Sequence, residues 1–108
     1  MTRVSHNKLV RDRIPEIIRE DGDTAVIRTL RSGEYRKELL RKLVEEAKEV
    51  QGAKKRGELL AELADVEEVL AAIRIAARID KKEVEQIRKE KSKKRGAFQE
   101  RILLVSVS

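Results

Sequence analysis

The spacing of apolar residues in the middle of the chain predicts two long amphipathic helices. Between residues 33 and 51 the apolar positions recur every three or four residues, as they do on one face of an α-helix. The same spacing returns between residues 58 and 78. Gly52 and Gly57 enclose a short basic segment between these stretches, so the pattern predicts two consecutive helices joined by a loop.

Start and stop signals add two further helices to this outline. Pro15, the single proline, predicts a short helix over residues 14–20 because proline is favoured in the first helical turn. Ser32 is the predicted N-cap of the first long helix. Asp80 is the predicted N-cap of a last helix that ends near residue 94, with Gly96 as its stop.

Two short segments have the composition of β-strands. Residues 25–30 contain Val26, Ile27 and Thr29, and residues 98–107 contain four consecutive apolar residues from Ile102 to Val105. We expect these two segments to pair with each other. The predicted fold is therefore mainly α: a helical bundle in a single domain, residues 1–108, with a short two-stranded β element from the N- and C-terminal regions.

Composition limits the classes of protein that fit this outline. Charged residues make up 43% of the chain, and the net charge is +6, which suits a polyanionic ligand such as a nucleotide or a nucleic acid. The absence of cysteine excludes disulfides and thiolate metal sites. No stretch approaches the ~18 apolar residues of a membrane span, and the N-terminus has no apolar signal region, which predicts a cytoplasmic protein without a membrane partner.

Two acidic residues of the second long helix do not lie on its polar face. At about 100° per residue, Glu62 falls at about 40° from Glu58, inside the apolar arc, and Asp65 falls at about 340°, at its edge. A carboxylate that is buried without a partner costs several kcal/mol, so these positions predict a compensating cation.

The preceding helix offers further carboxylates rather than cations. Glu46 flanks its apolar face and Glu49 lies one turn later, so both can meet Glu62 and Asp65. Four converging carboxylates suit a hard divalent ion, Mg²⁺ with Mn²⁺ as a possible substitute. The alternative is a set of solvated helix faces with local ion pairs, because such spacings often arise by chance in a chain with 20 acidic residues.

Three motifs then resemble a known family. The motif Glu46-x-x-Glu49, with twelve residues before Glu62-x-x-Asp65, resembles the metal-binding signature of the all-α NTP pyrophosphatases, which include MazG, dimeric dUTPases and phosphoribosyl-ATP pyrophosphohydrolase. The opening NKLVRDRIP, residues 7–15, and the closing Lys91-x-x-x-Arg95-Gly96-x-Phe98 resemble a compact phosphoribosyl-ATP pyrophosphohydrolase-like subgroup. Ala97 departs from that subgroup, in which a second glycine is more common.

The resemblance implies a Mg²⁺-dependent enzyme that cleaves nucleoside triphosphates between the α- and β-phosphates, giving a monophosphate and pyrophosphate. It implies that Glu46, Glu49, Glu62 and Asp65 hold the metal and that the protein is a homo-oligomer, either a dimer or a tetramer. The predicted catalytic residues are Glu45, Glu46 and Glu49, of which Glu45 and Glu49 are the candidates for accepting a proton from water. The predicted substrate-binding cations are Lys8, Arg11, Lys91 and Arg95.

Other functions remain open at this point. Housecleaning of nucleotides is favoured, and hydrolysis of phosphoribosyl-ATP in histidine biosynthesis is the enzymatic alternative. The other alternative is a non-enzymatic basic helical module that binds nucleic acid or acts as a scaffold. Nucleic acid is the weaker interpretation because the chain has one Phe, one Tyr and no Trp for base stacking. It also leaves Glu62 and Asp65 unexplained.

Overall fold

The structure, a computed structural model, describes residues 7–108 and contains four helices in this range. They are α1 (Ile14–Glu20), α2 (Ser32–Gly52), α3 (Arg56–Ala76) and α4 (Lys81–Arg95). The prediction of a mainly helical chain is confirmed, and each predicted helix boundary lies within two residues of the observed one. None of these helices is both long and apolar enough to cross a membrane.

The helices α2 and α3 form an antiparallel hairpin that contains most of the helix packing. Residues 53–55 join them, and Ala76 at the end of α3 shares a pocket with Ser32 and Tyr35 at the start of α2. Leu39 of α2 is 3% exposed and Val69 of α3 is 9% exposed, so each helix buries one apolar residue. This arrangement places the end of α2 beside the first turns of α3.

Local sequence signals fix the helix ends, with one correction. Asp80 caps α4 as predicted: its side chain accepts from the backbone N–H of Lys82, and Glu83 completes the capping box. Gly96 ends α4 with φ 81°, in the region that glycine adopts readily. The prediction of Ser32 as an N-cap is wrong, because Arg31 has the extended backbone of the cap and Ser32 is already helical.

The turn between α3 and α4 ends α3 earlier than the apolar pattern predicts. The N–H of Ile79 donates to the carbonyl of Arg74 at 2.9 Å, and the N–H of Arg78 donates to that of Ile75 at 3.1 Å. This pair of bonds is a Schellman motif. Arg78 has φ 58°, a left-handed conformation that is incompatible with a continued α-helix.

The predicted two-stranded β element is wrong within the described residues. Residues 25–30 and 98–107 contain no strand, and Val26 and Leu103 are 79% and 85% exposed. A strand is stabilised by cross-strand neighbours and by burial of one face, so favourable residue types alone do not produce one. Part of the predicted basic N-terminal arm, residues 1–6, lies outside the described residues.

Candidate metal centre

The hairpin brings three of the four predicted metal ligands together. Glu46 from α2 and Glu62 and Asp65 from α3 each offer a carboxylate oxygen, and these oxygens lie within 4.8 Å of one another. Glu62 and Asp65 are neighbours because they are three residues apart on one helix. All three residues are half-buried, as the helical phase of Glu62 and Asp65 predicts.

The charge in this cluster is unbalanced at Glu62. Burial raises the pKa of the Glu62 carboxyl, and the negative charges of Glu49, Asp65 and Glu46 raise it further. Within residues 7–108, Glu62 forms no ion pair with a lysine or arginine. Repulsion among these carboxylates therefore favours either a proton or a cation at Glu62.

Cations from the N-terminal segment and from α2 pair with three other carboxylates of the site. Arg11 Nη2 donates to Asp65 Oδ1 at 2.6 Å, which ties the N-terminal segment to α3. Lys8 Nζ lies 3.5 Å from Glu45 Oε1. Lys42 Nζ lies 3.6 Å from Glu45 and 3.7 Å from Glu46. The predicted substrate-binding residues Lys8 and Arg11 thus contact carboxylates of the site.

The geometry fits a hard divalent cation. Octahedral Mg²⁺ with oxygens at about 2.1 Å separates its ligand atoms by about 3 Å when they are adjacent and about 4.2 Å when they are opposite. Oxygens within 4.8 Å therefore need only small side-chain rotations to close around one ion. Glu46, Glu62 and Asp65 would hold that ion, and water would complete the coordination, as is usual for Mg²⁺.

The remaining predicted site residues lie around this group or apart from it. Glu49 is exposed and outside the group of three, although its charge acts on Glu62. Glu45 is half-buried and is engaged by two lysines. Lys91 and Arg95 are exposed on α4, and within residues 7–108 neither forms an ion pair. Their role in substrate binding stays a prediction.

A cleft beside the carboxylates contains residues that the sequence analysis missed. It lies between the N-terminal segment and α2, has a volume of about 280 Å³, and is lined by Asn7, Lys8, Leu9, Glu38, Arg41, Lys42 and Glu45. Lys42 could have been found from its spacing, because it precedes Glu45 by three residues and Glu46 by four on one helix. Arg41 follows Glu38 by three residues and pairs with it, but such a local ion pair does not by itself indicate a cleft.

Comparison with known proteins adds little to this geometry. No family model matches the chain, and no solved structure matches it. A stretch of 46 residues is 56% identical to an uncharacterized protein of Mycolicibacterium smegmatis. The match covers 43% of this chain and 47% of that protein, so the chain spans about half the length of the curated relative it matches.

Proposed function

We propose that this chain is a Mg²⁺-dependent nucleoside triphosphate pyrophosphohydrolase of the MazG-like type, with a housecleaning role. One observation carries the proposal: the oxygens of Glu46, Glu62 and Asp65 lie within 4.8 Å of one another. The resemblance of the three sequence motifs supports the reaction, which releases a nucleoside monophosphate and pyrophosphate. The cleft of cations beside the carboxylates agrees with a substrate that carries phosphates.

The carboxylates divide into metal ligands and a proton acceptor. A bound Mg²⁺ supplies charge stabilisation on phosphate oxygens and lowers the pKa of a bound water. Glu46, Glu62 and Asp65 hold that ion. Glu49 has no ion pair within residues 7–108, whereas Glu45 is engaged by Lys8 and Lys42. We therefore assign to Glu49 the acceptance of a proton from the attacking water, with Glu45 as the alternative.

We also propose that the protein is a homo-oligomer. A single helical hairpin leaves large apolar side chains of α3 in water, among them Leu60 at 58% and Ile75 at 74% exposure. A second copy can cover them, because helices with apolar residues on several sides are stable when buried. Light scattering should give a multiple of 12.4 kDa, and Ile75→Glu should shift it toward the single chain. A wild-type mass of one chain contradicts this part of the proposal.

A nucleotide panel tests the activity. The purified chain is incubated with Mg²⁺ and standard, modified and deoxyuridine triphosphates and phosphoribosyl-ATP, and pyrophosphate and monophosphate release are measured. Glu62→Gln should lose more than about 100-fold in activity, because removing only a hydrogen-bond partner of a metal ligand already costs about 10- to 100-fold. Glu67→Gln removes the same charge about 140° further round α3 and should retain activity.

The panel also separates the alternatives. Turnover confined to phosphoribosyl-ATP identifies the histidine-biosynthesis enzyme. If no nucleotide yields pyrophosphate with Mg²⁺ or Mn²⁺, the chain is not a pyrophosphohydrolase. If pyrophosphate appears but Glu62→Gln and Glu67→Gln are equally active, the carboxylate cluster does not take part in the reaction.

A further inference from the structure

The cleft beside the metal centre combines three cations with two carboxylates. Lys8, Arg41 and Lys42 line it together with Glu38 and Glu45. Its volume is about 280 Å³. The three cations suit a chain of phosphates, because they can pair with its oxygens.

Lys42 connects this cleft to the carboxylate cluster. Its Nζ lies 3.6 Å from Glu45 in the cleft and 3.7 Å from Glu46 in the cluster. The Lys42 side chain is only 22% exposed and that of Glu46 only 13%, so this contact is better shielded from water than the other ion pairs of the site. A change of charge at Glu46 will therefore be felt at Lys42.

We infer that this cleft binds the terminal phosphates of the substrate, and that Lys42 is held in part by Glu46 until a metal ion neutralises that carboxylate. The inference rests on the proposed function and adds to it a phosphate subsite, with Lys42 as a new binding residue. Without metal, Lys8 is engaged by Glu45, Lys42 by Glu45 and Glu46, and Arg11 by Asp65. Neutralising Glu46 and Asp65 weakens the hold on Lys42 and Arg11, which can then pair with an anion.

Charge accounting explains why metal and phosphate then bind together. Lys8, Arg11 and Lys42 offset three carboxylates in the absence of metal: Glu45, Glu46 and Asp65. A divalent ion at Glu46, Glu62 and Asp65 would supply two further positive charges there, so Lys42 and Arg11 have less carboxylate charge to neutralise and can interact with phosphate oxygens instead. Metal binding therefore raises the affinity for the phosphate chain, and the coupling is reciprocal.

The release of cations can be tested without any metal. Tripolyphosphate is titrated calorimetrically into the full chain in EDTA, with wild type, Glu46→Gln and Glu67→Gln compared at the same ionic strength. Glu46→Gln removes one of the two carboxylate charges that hold Lys42, so it should bind tripolyphosphate about threefold to fivefold tighter than wild type. Glu67→Gln carries the same change in net charge on the far side of α3 and should stay within about twofold of wild type.

A double variant identifies the cation responsible. Glu46→Gln combined with Lys42→Gln should lose the gain, whereas Glu46→Gln combined with Lys37→Gln should keep it, since Lys37 is an exposed α2 lysine outside the cleft. Circular dichroism establishes that each variant is folded. The inference is overturned if Glu46→Gln shows no gain, if Glu67→Gln gains as much, or if the Lys42 double variant keeps the gain.

Mn²⁺ binding to wild type, measured by calorimetry, separates this inference from the proposed function. Failure of Mn²⁺ to bind defeats the metal centre and leaves the metal-free anion result standing by itself. Binding of Mn²⁺ with no effect of Glu46→Gln on tripolyphosphate defeats the cleft and leaves the metal centre intact.

Discussion

The α2–α3 hairpin and α4 are helical for different reasons. The hairpin has the two buried residues of the described chain, Leu39 and Val69, and it holds the acidic cluster. Helix α4 has no buried residue, and 12 of its 15 residues between Lys81 and Arg95 are Lys, Arg, Glu or Gln. Packing therefore stabilises the hairpin, whereas local interactions must stabilise α4.

The local interactions of α4 are visible at each end and along its surface. The Asp80–Glu83 capping box satisfies backbone N–H groups at its start. Glu85 and Arg88 pair three residues apart, and lysines and an arginine lie in the last turn, where they oppose the helix dipole. Such contributions are individually small. A site that requires fixed geometry is therefore better supported by the hairpin.

The largest expected difference between the two regions comes from removing buried volume. Leu39→Ala should lower the free energy of unfolding by about 2–4 kcal/mol, because it leaves a cavity between α2 and α3. Leu103→Ala, at a side chain that is 85% exposed in the tail, should cost less than about 0.5 kcal/mol. Urea unfolding at one protein concentration measures both, and equal losses would contradict the contrast.

Removing the cap of α4 should have the next largest effect. Asp80→Ala should cost about 1 kcal/mol of helix stability, because it removes the acceptor for the Lys82 N–H. Hydrogen exchange should show loss of protection in α4 and none in the hairpin. Asp80→Asn keeps a capping oxygen and should behave nearly as wild type. Loss of protection in α2 or α3 would mean that the two regions are not independent.

Relief of repulsion at Glu62 should stabilise the metal-free hairpin. Because the folded-state pKa of Glu62 is raised, its contribution to stability is present below the ordinary value of 4.5 and is lost as pH rises through the raised pKa. In EDTA, Glu62→Gln should therefore raise the urea midpoint at neutral pH, and the gain should vanish in acid. Glu67→Gln should show no such pH dependence. A lower midpoint for Glu62→Gln at neutral pH would contradict repulsion at the site.

The smallest effect should come from the surface pair of α4. A hydrogen bond from Arg88 lowers the pKa of Glu85, as does the charge of Arg88. This contribution is present above the ordinary value of 4.5 and is lost as pH falls through the lowered pKa. Circular dichroism should show that wild type loses a little helix between neutral and acid pH. Arg88→Gln should have this lower helix content already at neutral pH. Identical acid titrations of the two proteins would show that the Glu85–Arg88 pair does not stabilise α4.

Helices were predictable here because their signals are local. The capping box at Asp80, the stop at Gly96 and the 3.6-residue apolar spacing all lie within one element. The phase of Glu62 and Asp65 on α3 also followed from spacing, and both residues are half-buried beside Glu46. The end of α3 was misplaced because a Schellman turn formed at an arginine rather than at a glycine.

Structural features that depend on contacts with distant residues of the chain could not be predicted from residue types. The segment from Ile102 to Val105 is apolar enough for a strand but has no neighbouring strand within residues 7–108. Glu49 has the right spacing, yet the group of three oxygens forms without it. The contacts of Lys8 with Glu45 and of Arg11 with Asp65 join residues 37 and 54 positions apart, which no local pattern encodes.

The left-handed residue Arg78 has a further geometric consequence. A helix of 15 residues is about 22 Å long, so a change of about 20° in its direction displaces its far end by about 8 Å. Arg78 lies where α3 passes into α4, and Lys91 and Arg95 lie toward that far end. The backbone conformation of Arg78 thus helps to set the direction of α4, and with it the positions of Lys91 and Arg95.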